Sequence, residues 1–162
     1  MEKARGTLED SFKLLPSYME MLEKKNLGTR TFLEVDNANN FKYFVMAIGG
    51  CIHRFILSIR PIVAIDVMFL KGKFKGTLFI ATALDYTNQL YLIAFGINDS
   101  ENDASWGCFL IKLKEEISEV PNRVFISNRH QSIKKNINIA FMNAVYGICM
   151  HHLKQNLHAR FK

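Results

Sequence analysis

Two apolar segments of this chain each lead into a polar residue of a type that binds metal ions. The segment 61–66 ends on Asp66, and the segment 124–127 is followed by Asn128. Two buried strands that finish side by side on carboxylates would form a divalent-metal site, because Mg²⁺ prefers hard anionic oxygen ligands. An asparagine offers a neutral carbonyl oxygen and no negative charge. The pair therefore predicts the position of a metal site that lacks one of its anions.

Structural roles for the same two residues stay open on the residue types alone. An acid at a strand end is a common turn residue, so Asp66 would then cap the turn that follows it. Asn128 would be a turn or N-cap residue for the helix predicted to begin near Gln131.

Cations are concentrated near both strand ends. Three lysines alternate in the turn after the first strand, and three further cations follow the second: Lys71, Lys73, Lys75, Arg129, Lys134 and Lys135. Such side chains bind DNA by neutralising its phosphates, which makes the binding salt-dependent. A solvated rim without a partner is the alternative.

Composition limits the class of protein. The chain has 162 residues, 49% of them hydrophobic, and a formal net charge of +6, which predicts one core and favours acidic partners such as nucleic acid. Three cysteines without a Cys-x-x-Cys pair predict a reducing compartment. The charged N-terminus and the lack of a long apolar stretch predict a soluble protein of the cytosol or nucleus, with no secretory signal and no membrane partner.

The order of predicted elements places these residues. Periodicity and turn residues predict a helix over 14–26, a hairpin of strands 31–35 and 41–45, and an ambiguous segment over 47–60. Three antiparallel strands follow, over 61–66, 77–84 and 89–96. The remaining chain is predicted to alternate between helices and strands: a helix through 106–117, a strand over 124–127, a helix over 131–140, a strand over 145–149 and a helix over 152–161. This is an α/β order with a mixed sheet, and it resembles the ribonuclease H-like fold. In that fold the strand that corresponds to 61–66 lies beside the strand that corresponds to 124–127. Asp66 and Asn128 would therefore meet at one edge of a cleft.

Several segments resemble, in sequence order, the transposase domain of plant Mutator-like elements (MULE). They are residues 60–72, 75–83, 94–97, 99–106, 125–133, 147–149 and 152–156, and residues 14–18 resemble the linker that precedes that domain. The resemblance implies a ribonuclease H-like core, an Asp-Asp-Glu catalytic triad, two Mg²⁺ or Mn²⁺ ions and cut-and-paste DNA transposition.

The triad implied by the resemblance is incomplete in this chain. Asp66 matches the first catalytic Asp, whereas Asn128 stands where the family has its second, in a motif that reads Ser-Asp-Arg-His in the family. Val67 replaces the family's usual glycine. The third carboxylate, a Glu on a later helix, is expected beyond residue 162, so the ribonuclease H-like domain is expected to be C-terminally incomplete.

A second element of the family is Cys-x-x-His, which Cys149 and His152 match. These are two zinc ligands, whereas a structural zinc takes four. A buried cysteine beside helix-face histidines is the favoured alternative.

These patterns predict a partial MULE transposase domain over residues 61–162, preceded by an N-terminal helix and hairpin linker region over residues 1–60. With one carboxylate of three, we expect an inactive transposase domain that binds no metal functionally. The alternative is a domesticated DNA- or protein-binding module that acts in transcriptional regulation, as in the far-red-impaired-response type of transposase-derived proteins. The resemblance also implies DNA, a second copy or a full-length transposase as partners, and a nuclear location.

Overall fold

The helices and strands follow the alternation of apolar segments and turn residues along the chain. The computed structural model describes residues 12–71 and 75–160. Within these ranges the elements are, in chain order, α1 (Leu15–Lys25), β1 (Arg30–Val35), β2 (Phe41–Ala47), α2 (Gly49–Ser58), β3 (Ile59–Leu70), β4 (Gly76–Asp85), β5 (Leu90–Asn98), α3 (Asp103–Ile117), β6 (Val124–Ser127), α4 (Gln131–Ala140), β7 (Val145–Ile148) and α5 (Met150–Arg160). The segment 47–60, whose pattern is ambiguous, contains helix α2. None of the described helices is both long and apolar enough to cross a membrane.

All seven strands form one mixed, open sheet in the order β1-β2-β5-β4-β3-β6-β7. The pairs from β1 through β3 are antiparallel, whereas β3–β6 and β6–β7 are parallel. The predicted α/β class with a mixed sheet is confirmed. The predicted hairpin of β1 and β2 belongs to this same sheet, because β2 pairs with β5. A domain boundary between residues 60 and 61 remains a prediction.

Helix α3 supplies the largest part of the core. It begins at Asn102, whose side-chain oxygen accepts a hydrogen bond of 2.9 Å from the backbone N–H of Ser105, as a helix N-cap does. One face of the helix is buried: Trp106, Phe109, Leu110, Leu113 and Ile117. The ring of Trp106 meets Phe79 of β4 edge to face, with 4.2 Å between ring centroids. This face therefore packs in the core.

A glycine in β5 lets α3 approach the sheet. A Cβ added to Gly96 would lie 2.9 Å from Cδ2 of Phe109 and 3.3 Å from the backbone oxygen of Phe44. Any larger residue there would push the helix away from the sheet, since cores are packed without spare volume.

Strand β3 is longer than predicted. The apolar segment predicts a strand that ends on Asp66, but β3 continues to Leu70, because β4 pairs with it as far as Leu70↔Gly76. The strand therefore passes through Asp66 and continues over the apolar residues 67–70, which pair with β4. On its other side, β3 pairs with β6 only as far as Ala64↔Ile126. Asp66 consequently lies within β3, just past the level at which its pairing with β6 stops.

The cysteines form no cross-links. Cys51, Cys108 and Cys149 are free thiols, in agreement with the absence of a predicted disulfide framework. Burial raises the pKa of Cys51 and Cys108 above the ordinary value, so both remain protonated at neutral pH.

Candidate functional site at the carboxyl edge of the sheet

The parallel register of β3 and β6 brings Asp66 and Asn128 to neighbouring positions. The last registered pair is Ala64↔Ile126, and both polar residues lie two positions further along their chains. Neighbouring strands are about 4.8 Å apart, and side chains two residues apart share a face. The two residues predicted to meet at one edge therefore do occupy adjacent positions there.

The carboxylate of Asp66 is open to solvent and faces a histidine. Its side chain is 47% exposed, and Oδ1 accepts one hydrogen bond of 2.9 Å, from the backbone N–H of Val67. The Nε2 atom of His152, from the first turn of α5, lies 3.8 Å from the same Oδ1. The sequence did not predict this neighbour, although α5 follows β7 directly and must begin at the carboxyl edge.

The side chain of Asn128 is engaged in a turn. Its Oδ1 accepts a hydrogen bond of 2.9 Å from the backbone N–H of His130, and His130 occupies the N-cap position of α4. The backbone oxygen of Asn128 accepts hydrogen bonds from the hydroxyls of Tyr146 at 2.5 Å and Ser127 at 2.8 Å. Tyr146 was not predicted at this site, yet it and Ser127 fix the backbone on which the amide sits.

These residues do not fit the two-metal centre that the resemblance implies. Two-metal phosphodiester chemistry needs carboxylates that hold ions roughly 3.5–4 Å apart, and here a single carboxylate, Asp66, faces an amide and an imidazole. In the described part of the chain, no three His, Cys, Asp or Glu side chains come together as metal ligands. The imidazole Nε2 of His152 lies near Asp66, and a zinc site at Cys149 and His152 remains a prediction.

A second acid lies near the Asn128 turn. Glu101 accepts a hydrogen bond of 3.3 Å from Nε1 of Trp106, and its Oε1 is 3.8 Å from Nδ1 of His130. No pattern in the sequence assigns Glu101 to a site, because it precedes an N-cap residue in a polar loop. Its carboxylate lies between the indole of Trp106 in α3 and the imidazole of His130.

The predicted cations differ in what they contact. Lys71, Lys75 and Arg129 are exposed, and Nζ of Lys134 lies 6.0 Å from the ring centroid of Tyr146. Lys135 forms an ion pair with Asp103. Lys73 lies outside the described residues.

The ion pair of Lys135 removes it from the free positive charge of this edge. The hydrogen bonds that Lys135 and Ser132 donate lower the pKa of Asp103 below its ordinary value. Helix α5 adds positive charge to this edge, since it carries Lys154 and Arg160, together with three histidines, and contains no acid. The carboxyl edge therefore retains several cations whose charge is not balanced by a described acid.

The fold and this edge define an α/β domain whose polar residues gather where parallel strands end. Over residues 62–156, which is more than half of the chain, the sequence matches the family described as MULE transposase domain. The chain belongs to the MULE transposase domain family. No curated protein matches it.

Proposed function

We propose that this chain is a transposase-derived domain that does not cut DNA by itself. The observation that carries the proposal is the position next to Asp66. The neighbouring strand presents Asn128 there, and its side-chain oxygen is already bonded to the His130 N–H. An amide cannot supply the anion that a pair of divalent ions requires.

The strand order supports a ribonuclease H-like arrangement as part of this proposal. Strands β3, β4 and β5 form an antiparallel meander, and β6 and β7 are added in parallel on the other side of β3. Asp66 and Asn128 lie just past the point where the parallel pairing of β3 with β6 stops, and open α/β sheets bind their ligands where parallel strands end.

Strand cleavage is measured directly with supercoiled plasmid in the presence of Mg²⁺ or Mn²⁺. We expect the wild-type chain to nick no more plasmid than its Asp66→Asn variant or a heat-inactivated sample. Metal-dependent nicking that disappears in EDTA and in Asp66→Asn would show that the domain is catalytic and would reject the proposal.

DNA binding without cleavage is the activity we propose in its place. Support comes from the exposed cations Lys71, Lys75 and Arg129 at the carboxyl edge, and from the acid-free helix α5. Each phosphate neutralised releases counterions, so the logarithm of affinity falls by about 0.9 per contact for each unit of log salt concentration.

Fluorescence anisotropy with labelled duplex DNA over a range of salt concentrations tests this binding. We expect Lys71→Ala and Lys75→Ala each to weaken binding and to reduce the salt slope by about 1. Lys24→Ala is the matched control, because Lys24 is an exposed lysine of α1 that pairs with Glu20. Equal effects of all three substitutions would mean that binding is not located at the carboxyl edge.

The alternative module acting in transcriptional regulation would use the same edge. A nuclear location follows from either proposal, and a fluorescent fusion that is excluded from the nucleus would contradict both. Assembly with a second copy or with a full-length transposase remains a proposal, which sedimentation of the purified chain tests.

A further inference from the structure

One side of β3 has no neighbouring strand beyond the site. Pairing with β6 stops at Ala64↔Ile126, whereas pairing with β4 continues to Leu70↔Gly76. Residues 66–70 of β3 are therefore unpaired on their β6 side within the described residues, and we call this stretch the free edge. It begins at Asp66 and ends at Leu70, the last residue of β3.

The free edge exposes two large apolar side chains. Met68 is 52% exposed and Phe69 is 70% exposed. They are neighbours in sequence, so they point to opposite faces of the strand. An exposed phenyl ring on an unpaired strand edge is a candidate contact for a partner.

Two cations lie near Phe69 along the chain and across the strand pair. Lys71 follows the free edge directly, and Lys75 precedes Gly76, which pairs with Leu70. Both are exposed, and neither forms an ion pair with any residue in the described ranges. An exposed aromatic ring next to unpaired lysines is the combination that binds single-stranded nucleic acid, in which bases stack on the ring while cations follow the phosphates.

Asp66 does not take part in this contact. It lies three residues before Phe69, so the two side chains point to opposite faces of β3. A carboxylate without a bound metal ion also repels the phosphates of a nucleic acid.

We propose that the free edge binds DNA with unpaired bases, with Phe69 stacking on a base and Lys71 and Lys75 binding the adjacent phosphates. This rests on the proposed DNA binding and adds the form of DNA that is preferred. Bases within a duplex are stacked on each other and offer no face to Phe69. A single strand or a duplex with a single-stranded overhang therefore binds more tightly than a blunt duplex.

Anisotropy with three labelled DNAs, a single strand, a blunt duplex and an overhang duplex, tests the proposal. Phe69→Ala weakens binding of the single strand and the overhang duplex by about 5- to 150-fold, the fold-change that corresponds to the usual stacking energy of one base. It leaves blunt-duplex binding unchanged. Tyr86→Ala is the matched control, because Tyr86 is 71% exposed and lies in the turn between β4 and β5, at the other end of β4. It leaves all three affinities unchanged.

Fluorescence of Phe69→Trp reports stacking directly. The natural tryptophan, Trp106, is fully buried and gives a constant background. Quenching by the single strand and not by the blunt duplex is the expected result. Absence of quenching, or equal single-strand affinity of Phe69→Ala and Tyr86→Ala, overturns the proposal.

Two further outcomes separate this proposal from others. If Phe69→Ala leaves DNA affinity unchanged but converts a dimer to a monomer in sedimentation, the free edge is a contact with a second copy and the proposal is wrong. If blunt-duplex binding persists with normal salt dependence while no single-strand preference exists, the proposed DNA binding stands and only the stacking proposal fails. If the wild-type chain binds none of the three DNAs, both fail.

Discussion

Asp85 and Asp66 lie on neighbouring strands, and the fold uses their carboxylates differently. Asp85, at the end of β4, is 6% exposed, and its Oδ1 accepts hydrogen bonds from the hydroxyl and N–H of Thr87 and from the N–H of Gln89 at 2.7, 2.8 and 2.9 Å. Asp66 is half-exposed and accepts one backbone hydrogen bond, from Val67. A carboxylate oxygen that accepts several hydrogen bonds from its own turn stabilises the fold. A carboxylate that accepts only one such bond and is exposed to solvent is available to a ligand.

Two arginines show the same division. Arg123 is 3% exposed, and its Nη1 donates to the backbone oxygens of Ile117 and Ser118 at 3.1 and 2.6 Å, which satisfies the carbonyls at the end of α3. Its guanidinium also lies 5.0 Å from the ring centroid of Phe55. Arg129 is exposed beside Asn128. The first cation completes the fold, and the second is available at the carboxyl edge.

The largest difference in stability is expected between variants of the two arginines, with the greater loss at Arg123. Arg123→Ala leaves the carbonyls of the buried Ile117 and the exposed Ser118 without this donor and removes packing against Phe55, so we expect a loss of about 2–4 kcal/mol of unfolding free energy. Arg129→Ala should change it by less than about 0.5 kcal/mol, as surface substitutions usually do. Urea denaturation of both variants measures the difference. Equal losses would show that burial does not separate the two arginines.

The next largest difference in stability is expected between variants of the two aspartates. Asp85→Asn keeps an oxygen at this position but weakens its bonds to Thr87 and Gln89, so the melting temperature should fall by several degrees. Asp66→Asn removes a charge from a half-exposed residue that holds no turn, and should leave the melting temperature nearly unchanged. Differential scanning calorimetry of the pair is the measurement. A larger fall for Asp66→Asn would mean that its carboxylate is structural.

The sequence predicts most of the fold because burial leaves a periodic pattern. The buried faces of α3 and α4, which include Trp106, Phe109, Ile133 and Ile137, follow helical spacing in the sequence. The predicted end of β3 at Asp66 was wrong, because the strand continues through the apolar residues 67–70, which pair with β4. The acid at position 66 interrupts the apolar run, and only the pairing with β4 shows that the strand passes through it.

The candidate site was predicted in part for a similar reason. Strand order brings Asp66 and Asn128 together, and that order was expected because the succession of elements resembles the ribonuclease H-like fold. The approach of His152 to Asp66 and of Tyr146 to the backbone of Asn128 depends on where α5 begins and how β7 is registered. Such contacts join segments whose spacing in the chain says nothing about their distance.

A third, smaller effect is expected when the missing anion is restored. Asn128→Asp places a second carboxylate beside Asp66, so the variant should bind Mn²⁺, and its melting temperature should rise by a few degrees when Mn²⁺ is about ten times the dissociation constant. In EDTA, the same variant should melt slightly below the wild type, because two like charges are adjacent. The double variant Asn128→Asp with Asp66→Asn is the control, and an equal Mn²⁺ shift in it would place the ion elsewhere.

The smallest expected effect is on the acid dependence of stability. The hydrogen bonds from Thr87 and Gln89 lower the pKa of Asp85 in the folded state. Its contribution is therefore complete above the unfolded pKa of about 3.9, and is lost as the pH falls through the lower folded value. The melting temperatures of the wild type and of Asp85→Asn should differ at neutral pH and converge in acid. Protonation of Asp85 removes its charge in the wild type, and the variant has no charge at this position at any pH. Melting temperatures from neutral pH down to about pH 3, past the unfolded pKa, measure this convergence. A constant gap between the two curves would mean that Asp85 stabilises the turn through the shape of its side chain and not through its charge, and the contrast with Asp66 would then rest on geometry alone.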